Sequence, residues 1–261
     1  MTCRRSPVDS LSCAARPVPL DLSGFCLMKI ITHIFESSLG KKYVMAATGF
    51  LLFLFVIAHL VGNLQVFLGP EAINRYGHFL QSNYELVWPA RIALLALVGL
   101  HIWSAAKLSV ENRAARPVGY AVYQPVGSTY ASRTMLMSGL IVLAFVIYHL
   151  LHFTVMVQYI NLTGQNFVSF TDPEHRHDIF KMMVVGFNNG WVSAFYVLGM
   201  ALLCLHLSHG VSSMFQSIGW KNDTYRPLLD KGARALAVLI FLGYTSIPLA
   251  ILLGYGKEAL K

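Results

Sequence analysis

Residues 191–220 read WVSAFYVLGMALLCLHLSHGVSSMFQSIGW, an apolar run with a histidine, His206, in its interior. A helix crosses the hydrocarbon of a bilayer with about 20 mostly apolar residues, and this run is long enough to do so. An imidazole inside such a helix is costly, which makes function the default explanation. Three other apolar stretches carry one too: ATGFLLFLFVIAHLVGN with His59, RIALLALVGLHIWSAAK with His101 and LIVLAFVIYHLLHF with His149. A fifth stretch has none.

The composition, 56% hydrophobic and 12% charged with a mean hydropathy of +0.56, lies outside the range of soluble domains and points to a polytopic membrane protein. Five segments, at about 44–67, 90–110, 134–158, 190–215 and 235–255, approach the length that spans about 30 Å. The expected fold is an all-α bundle of five transmembrane helices forming one domain over residues 28–261. Residues 1–27, MTCRRSPVDSLSCAARPVPLDLSGFCL, have three prolines and no apolar core of the signal-peptide kind. They read as a disordered leader, with translation expected to start at Met28.

Five spans put the termini on opposite sides. Of the 20 Lys and Arg, 14 fall on the N-terminal side and six on the other, while the acids divide six and six. The positive-inside rule then places the N-terminus in the cytoplasm and the C-terminus outside, in the inner (cytoplasmic) membrane. The charge is distributed across the membrane rather than in a continuous basic run, which sets nucleic acid aside. Arg113, Arg116, Arg133, Lys221 and Arg226 lie among Tyr, Pro and Gly on the inner face, a basic, structured surface that suits docking of a soluble partner as well as simple topology. The outer connections, 68–89 and 159–189, read as partly helical caps. Cys3, Cys13 and Cys26 sit in the leader and Cys204 in a span, with no CxxC pair to anchor an iron–sulfur or zinc site or a disulfide framework. No internal repeat, Gly-rich phosphate loop or Ser/His/Asp order is evident, so nothing indicates soluble catalysis.

Depth sorts the four histidines. His59 lies 16 residues past Tyr43 and His149 lies 16 past Arg133, about 24 Å from the inner edge at 1.5 Å per residue. His101 is 10 residues past Arg91 and His206 is 15 past Trp191, roughly 15 and 22 Å below the outer edge. His59 and His149 thus share a level near the outer face, and His101 and His206 share a deeper one. Two imidazoles at one height on separate helices can clamp a haem iron, and bundles build such sites from facing helices. The reading that competes is a structural, helix-bridging role. Gly62, Ala105, Gly199, Gly210 and Ser213 are small neighbours that would leave room for porphyrin planes. His152 and His209 sit three residues further along and read as contacts to a ligand's far side or to a haem propionate, with a register slip as the alternative. His33, His78, His175 and His177 lie outside the spans and read as solvated or interfacial.

An iron with imidazole on both faces has no open position, so it passes electrons. Two such irons at different depths would relay them across the membrane, from a donor on the basic face to a lipid-soluble quinone. Asn63, Gln65, His78, Arg91 and His152, near the outer helix ends, are candidates to hydrogen-bond a quinone carbonyl.

At AHLVGN around His59, LHIWSAAK around His101, IYHLLHF around His149 and LHLSHGVSSMFQSIGW around His206, the chain resembles the single-chain, five-helix, two-haem cytochrome b anchor of succinate dehydrogenase and the related fumarate reductases. The resemblance runs from about Met28 to the C-terminus. It implies that His59 and His149 ligate the distal haem b and His101 and His206 the proximal one. It also implies a complex in which a flavoprotein oxidises succinate, an iron–sulfur subunit relays electrons, and this subunit delivers them to quinone, often menaquinone; the dehydrogenase site would not lie in this chain. The spacing from His206 to Gly219–Trp220 fits the family and favours His206 over His209. No Asp or Glu lies inside the five segments, whereas some fumarate reductases of the family use intramembrane glutamates, so a proton path through this subunit is not expected. The leader has no family counterpart. Other readings are a dihaem cytochrome b of a formate dehydrogenase or hydrogenase, a transporter whose histidines relay protons or bind metal, and a haem-free anchor.

Overall fold

The computed structural model describes residue 32, residues 34–116, residue 118 and residues 130–260. The leader, the start at Met28, Cys3, Cys13, Cys26, His33 and most of the 117–129 connection lie outside the described residues. Among the described residues no strand forms, and eight helices follow in order: α1 Ser38–Leu64, α2 Pro70–Ser82, α3 Tyr84–Ala114, α4 Tyr130–Arg133, α5 Met135–His149, α6 Ile179–Asn188, α7 Gly190–Ser217 and α8 Arg226–Leu252. Five of them, α1, α3, α5, α7 and α8, are long and apolar enough to cross a membrane. The chain is a multi-pass membrane protein.

Helix ends follow local chemistry more than apolarity. Ser37 caps α1, its Oγ accepting from the Gly40 N–H at 3.0 Å, and Asn189 caps α7 by accepting from the Trp191 and Val192 N–H groups. Two helices outrun the expected apolar windows: α3 begins at Tyr84 and α8 at Arg226. Their added turns hold Glu85 and Pro89 in α3 and Asp230 and Lys231 in α8, yet keep the helical backbone. Glu85, Glu111 and Asp230 consequently belong to spanning helices, in turns beyond the apolar segments. The third span stops short of 158. After His149 the chain widens into one π-helical turn, Leu150–Thr154, and Met156 then takes a φ of 57° that ends helical winding.

α7 is the hub. It packs on α1, α5 and α8, while α1 packs on α3 as well. Around the ring α3–α1–α7–α5 the helices are neighbours, closing through a thin α3–α5 contact, so α1 faces α5 and α3 faces α7 across the diagonals. α8 lies outside this ring against α7 and α1.

Beyond the C-terminal end of α1, the connections fold into a cap of α2, residues 155–178 and α6, with the C-terminal 3-10 turn Lys257–Leu260 against α6. Val66, Ile73, Phe180, Val184, Val192 and Ile251 are buried there. Asn74, 2% exposed, pins the cap. Its amide donates to Asp178 Oδ1 at 3.0 Å and Asp172 Oδ2 at 3.4 Å, and its oxygen accepts from the Phe180 N–H at 2.9 Å. Arg176 bridges Asp172 at 2.7 Å and Glu71 at 2.6 Å. At the opposite, basic end, buried Lys41 of α1 meets Glu111 of α3 at 2.5 Å. Lys221 there meets Asp230 at 2.6 Å, and Ser212 donates to the same carboxylate.

Candidate functional site

The interior histidines meet across the diagonals. The rings of His59 on α1 and His149 on α5 lie 5.8 Å apart, centre to centre, at 80°. Those of His101 on α3 and His206 on α7 lie 6.4 Å apart at 64°. These are the two pairs that share a depth in the sequence. Two imidazoles bound end-on to one first-row metal ion, at about 2.0–2.1 Å per bond, hold their ring centres roughly 6 Å apart. Direct edge-to-face packing falls in the same range, so distance alone does not choose between them.

At the second pair the other ring nitrogen has a hydroxyl beside it. Thr48 Oγ1 lies 3.1 Å from His101 Nδ1, and its own proton is committed to the Val44 carbonyl at 2.7 Å. Ser138 Oγ lies 3.3 Å from His206 Nδ1 and donates to the Met135 carbonyl at 3.1 Å. Both hydroxyls are therefore left to accept. With the hydroxyls accepting, each ring would carry its proton on Nδ1 and leave the Nε2 lone pair for a metal. Tyr196 Oη lies 3.3 Å from His149 Nδ1 and 3.0 Å from His152 Nδ1. Metal-bound histidines characteristically hold the second nitrogen this way.

Glycine sits beside two of these hydroxyls. A Cβ on Gly49 would come within 3.1 Å of His101 Cε1, and one on Gly139 within 3.5 Å of His206 Cε1. Thr48–Gly49 and Ser138–Gly139 are therefore equivalent cradles, each one hydroxyl and one gap. The spaces expected over Gly62 and Gly199 are instead taken: a Cβ would come 2.8 Å from Tyr76 Oη at the first and would collide with the Phe145 ring at the second. Gly210 is open.

These cradles expose an internal repeat, which corrects the reading that none exists. TGFLLFLFVIAHL (48–60) aligns with SGLIVLAFVIYHL (138–150), with six identities in 13 positions that fix the register, and ALVGLH (96–101) aligns with ALLCLH (201–206). Structure respects the alignment. Phe55 stacks on His59 at 5.3 Å and its equivalent Phe145 on His149 at 6.2 Å. Equivalent helices are diagonal in the ring and run in the same direction, as in parallel repeats related by an axis along the membrane normal. Each histidine pair thus consists of two equivalent residues, one from each half. The repeat is legible in sequence; its signal is a hydroxyl–glycine pair 11 residues before a histidine.

The remaining candidates scatter. His152 is fully buried in the π turn, with Nδ1 3.0 Å from Tyr196 Oη and Nε2 unpartnered. His209 Nε2 lies 2.9 Å from Ser213 Oγ on its own helix. Asn63 donates to the His59 carbonyl at 2.7 Å. Gln65 lines an open groove of about 340 Å³ with Ala72, Arg75, Tyr76 and Phe79. His78 is exposed on α2, and Arg91 is exposed with its guanidinium over the Trp88 ring at 5.3 Å. The structure does not gather these five quinone candidates into one site. His175 is exposed, but His177 is half-buried, its Nδ1 3.2 Å from the Phe170 carbonyl. Among the described residues no group of three or more His, Cys, Asp or Glu side chains could hold a metal ion. Comparison of the chain with protein-family models, curated proteins and solved structures found no match.

Proposed function

We propose that this chain is the membrane-anchor cytochrome b of a succinate:quinone oxidoreductase, set in the cytoplasmic membrane with its N-terminus inside. His59 with His149 and His101 with His206 hold two haem b groups. The observation that carries this reading is the pair of diagonal histidine couples whose Nδ1 atoms are, in three of four cases, held by hydroxyls. Haem would supply one-electron chemistry, and each would be held by two protein ligands, one histidine pair.

The chain's own residues orient and insulate. Thr48 and Ser138 fix the tautomer of the inner pair, Phe55 and Phe145 pack on the outer pair, and the cap covers the outer end. The dehydrogenase flavoprotein and iron–sulfur subunits dock on the basic, cytoplasmic end. Quinone, with menaquinone the expected species, approaches from the membrane at the cap end, where Gln65 borders an open groove with Arg75.

The test is purification of the tagged chain from its native membrane. The expected result is co-purification of a flavoprotein and an iron–sulfur protein, with b-type bands that succinate reduces. A coloured chain whose bands respond only to formate or hydrogen would assign it to another dehydrogenase; a colourless folded chain would end the haem reading.

A further inference from the structure

The two halves agree at the inner pair and part at the outer one. Under the alignment, Tyr196 corresponds to Arg91 and His152 to Gly62. Arg91 is exposed over Trp88, and Gly62 faces Tyr76, so His59 has no hydroxyl partner of this kind among the described residues. His149 does. Tyr196 Oη stands 3.3 Å from Nδ1 of His149, the last residue of α5, and 3.0 Å from Nδ1 of His152, which lies in the π turn that follows. One hydroxyl has one proton to give. If His149 holds a haem through Nε2, its Nδ1–H would donate to Tyr196, and the tyrosine proton would go to His152 Nδ1. His152 then keeps its proton on Nε2, which is buried without a partner. Leaving such a donor unsatisfied costs about 1–3 kcal/mol, so the arrangement is not one that packing alone favours.

We propose that Tyr196, backed by His152, is a positioning residue for His149 that sets the redox potential of the outer haem and leaves the inner one alone. This rests on the reading that His59 and His149 hold a haem. Accepting the Nδ1–H makes the ligand imidazole more basic, which favours the oxidised iron. A hydrogen bond from Tyr196 to His152 strengthens that acceptance, since linked bonds polarise one another.

The experiment is a potentiometric titration of the whole complex in membranes, resolving the two b-type waves. Tyr196→Phe raises the potential of one wave, by about a tenfold change in its reduction equilibrium, which is about 59 mV for one electron, and leaves the other unmoved. His152→Leu shifts the same wave in the same direction by less. His152→Asn, which keeps an acceptor near the Nδ1 position, stays close to wild type and excludes a mere packing effect. A wild-type complex without b-type bands overturns the haem reading itself. A wild type with two waves, neither moved by Tyr196→Phe or His152→Leu, or both moved equally, overturns this assignment alone.

Discussion

Replacing Thr48 by Val keeps the shape of a buried side chain on α1 and deletes the acceptor 3.1 Å from His101 Nδ1. Hydrogen bonds between spanning helices average only about 0.6 kcal/mol in mutant cycles. The donor left behind costs more than that. The substitution strands an imidazole N–H in a region where no water replaces the lost partner, at about 1–3 kcal/mol, so the ligating orientation loses roughly 5- to 150-fold in weight. Loss of a hydrogen-bond partner behind a metal ligand typically lowers metal affinity by about 10–100-fold, the same range. In detergent-purified protein, Thr48→Val should release one haem on dilution or mild heating while the second stays bound, as read by haem content against polypeptide. Thr48→Ser, which keeps the oxygen, should retain both. If Thr48→Val holds two haems as firmly as wild type, the hydroxyl does not position His101 and the cradle argument fails.

Gly199→Ala drives a methyl into the Phe145 ring, which is itself stacked on His149; overpacking of this kind costs about 1–3 kcal/mol, and a thermal melt should show it, with the outer haem lost before the inner. At the basic end, Glu111→Gln should destabilise more than Lys41→Met, because Lys41 is the buried member of the pair and the first change leaves its charge uncompensated; denaturation in detergent ranks the two variants. The cap should loosen in acid. Burial alone would raise the Asp172 carboxyl, but hydrogen bonds from the Arg176 and Glu174 N–H groups and the Arg176 guanidinium hold it below the usual carboxylate range. The same guanidinium lowers Glu71. Carboxyls lowered in the folded state add stability that is present above the unfolded value of about 4 and lost as pH falls through the folded one. Amide exchange in α2 and α6 should therefore accelerate in acid below about pH 4, and Asp172→Asn should flatten that dependence.

The five spans are legible because a bilayer demands runs of apolar residues, and the histidine levels follow from a fixed helical rise. The ends of α3 and α8 are not, since turns such as Tyr84–Pro89, which holds Glu85 and Pro89, and Arg226–Ala233, which holds Asp230 and Lys231, continue a helix past the apolar window. Nor is the π turn at Leu150–Thr154, which no local composition announces and which carries His152 inward to Tyr196. Thr48 and Ser138 read as minor polar residues in apolar helices; only the facing helix reveals what each hydroxyl touches. Glycines mark space that neighbours decide how to use, so Gly62 and Gly199 admit Tyr76 and Phe145, while Gly49 and Gly139 clear the imidazoles. The repeat is hard to see because Leu, Ile, Val and Phe interchange freely along a lipid-facing helix, and the hydroxyl–glycine pair and the histidine are what keep their character.

The most direct measurement is haem b per polypeptide in the purified chain and its four single His→Ala variants. The account predicts two in the wild type and one in each variant, with His59→Ala and His149→Ala leaving one spectrum and His101→Ala and His206→Ala leaving the other. A folded wild-type chain with no haem, or variants that group across these pairs, would contradict it.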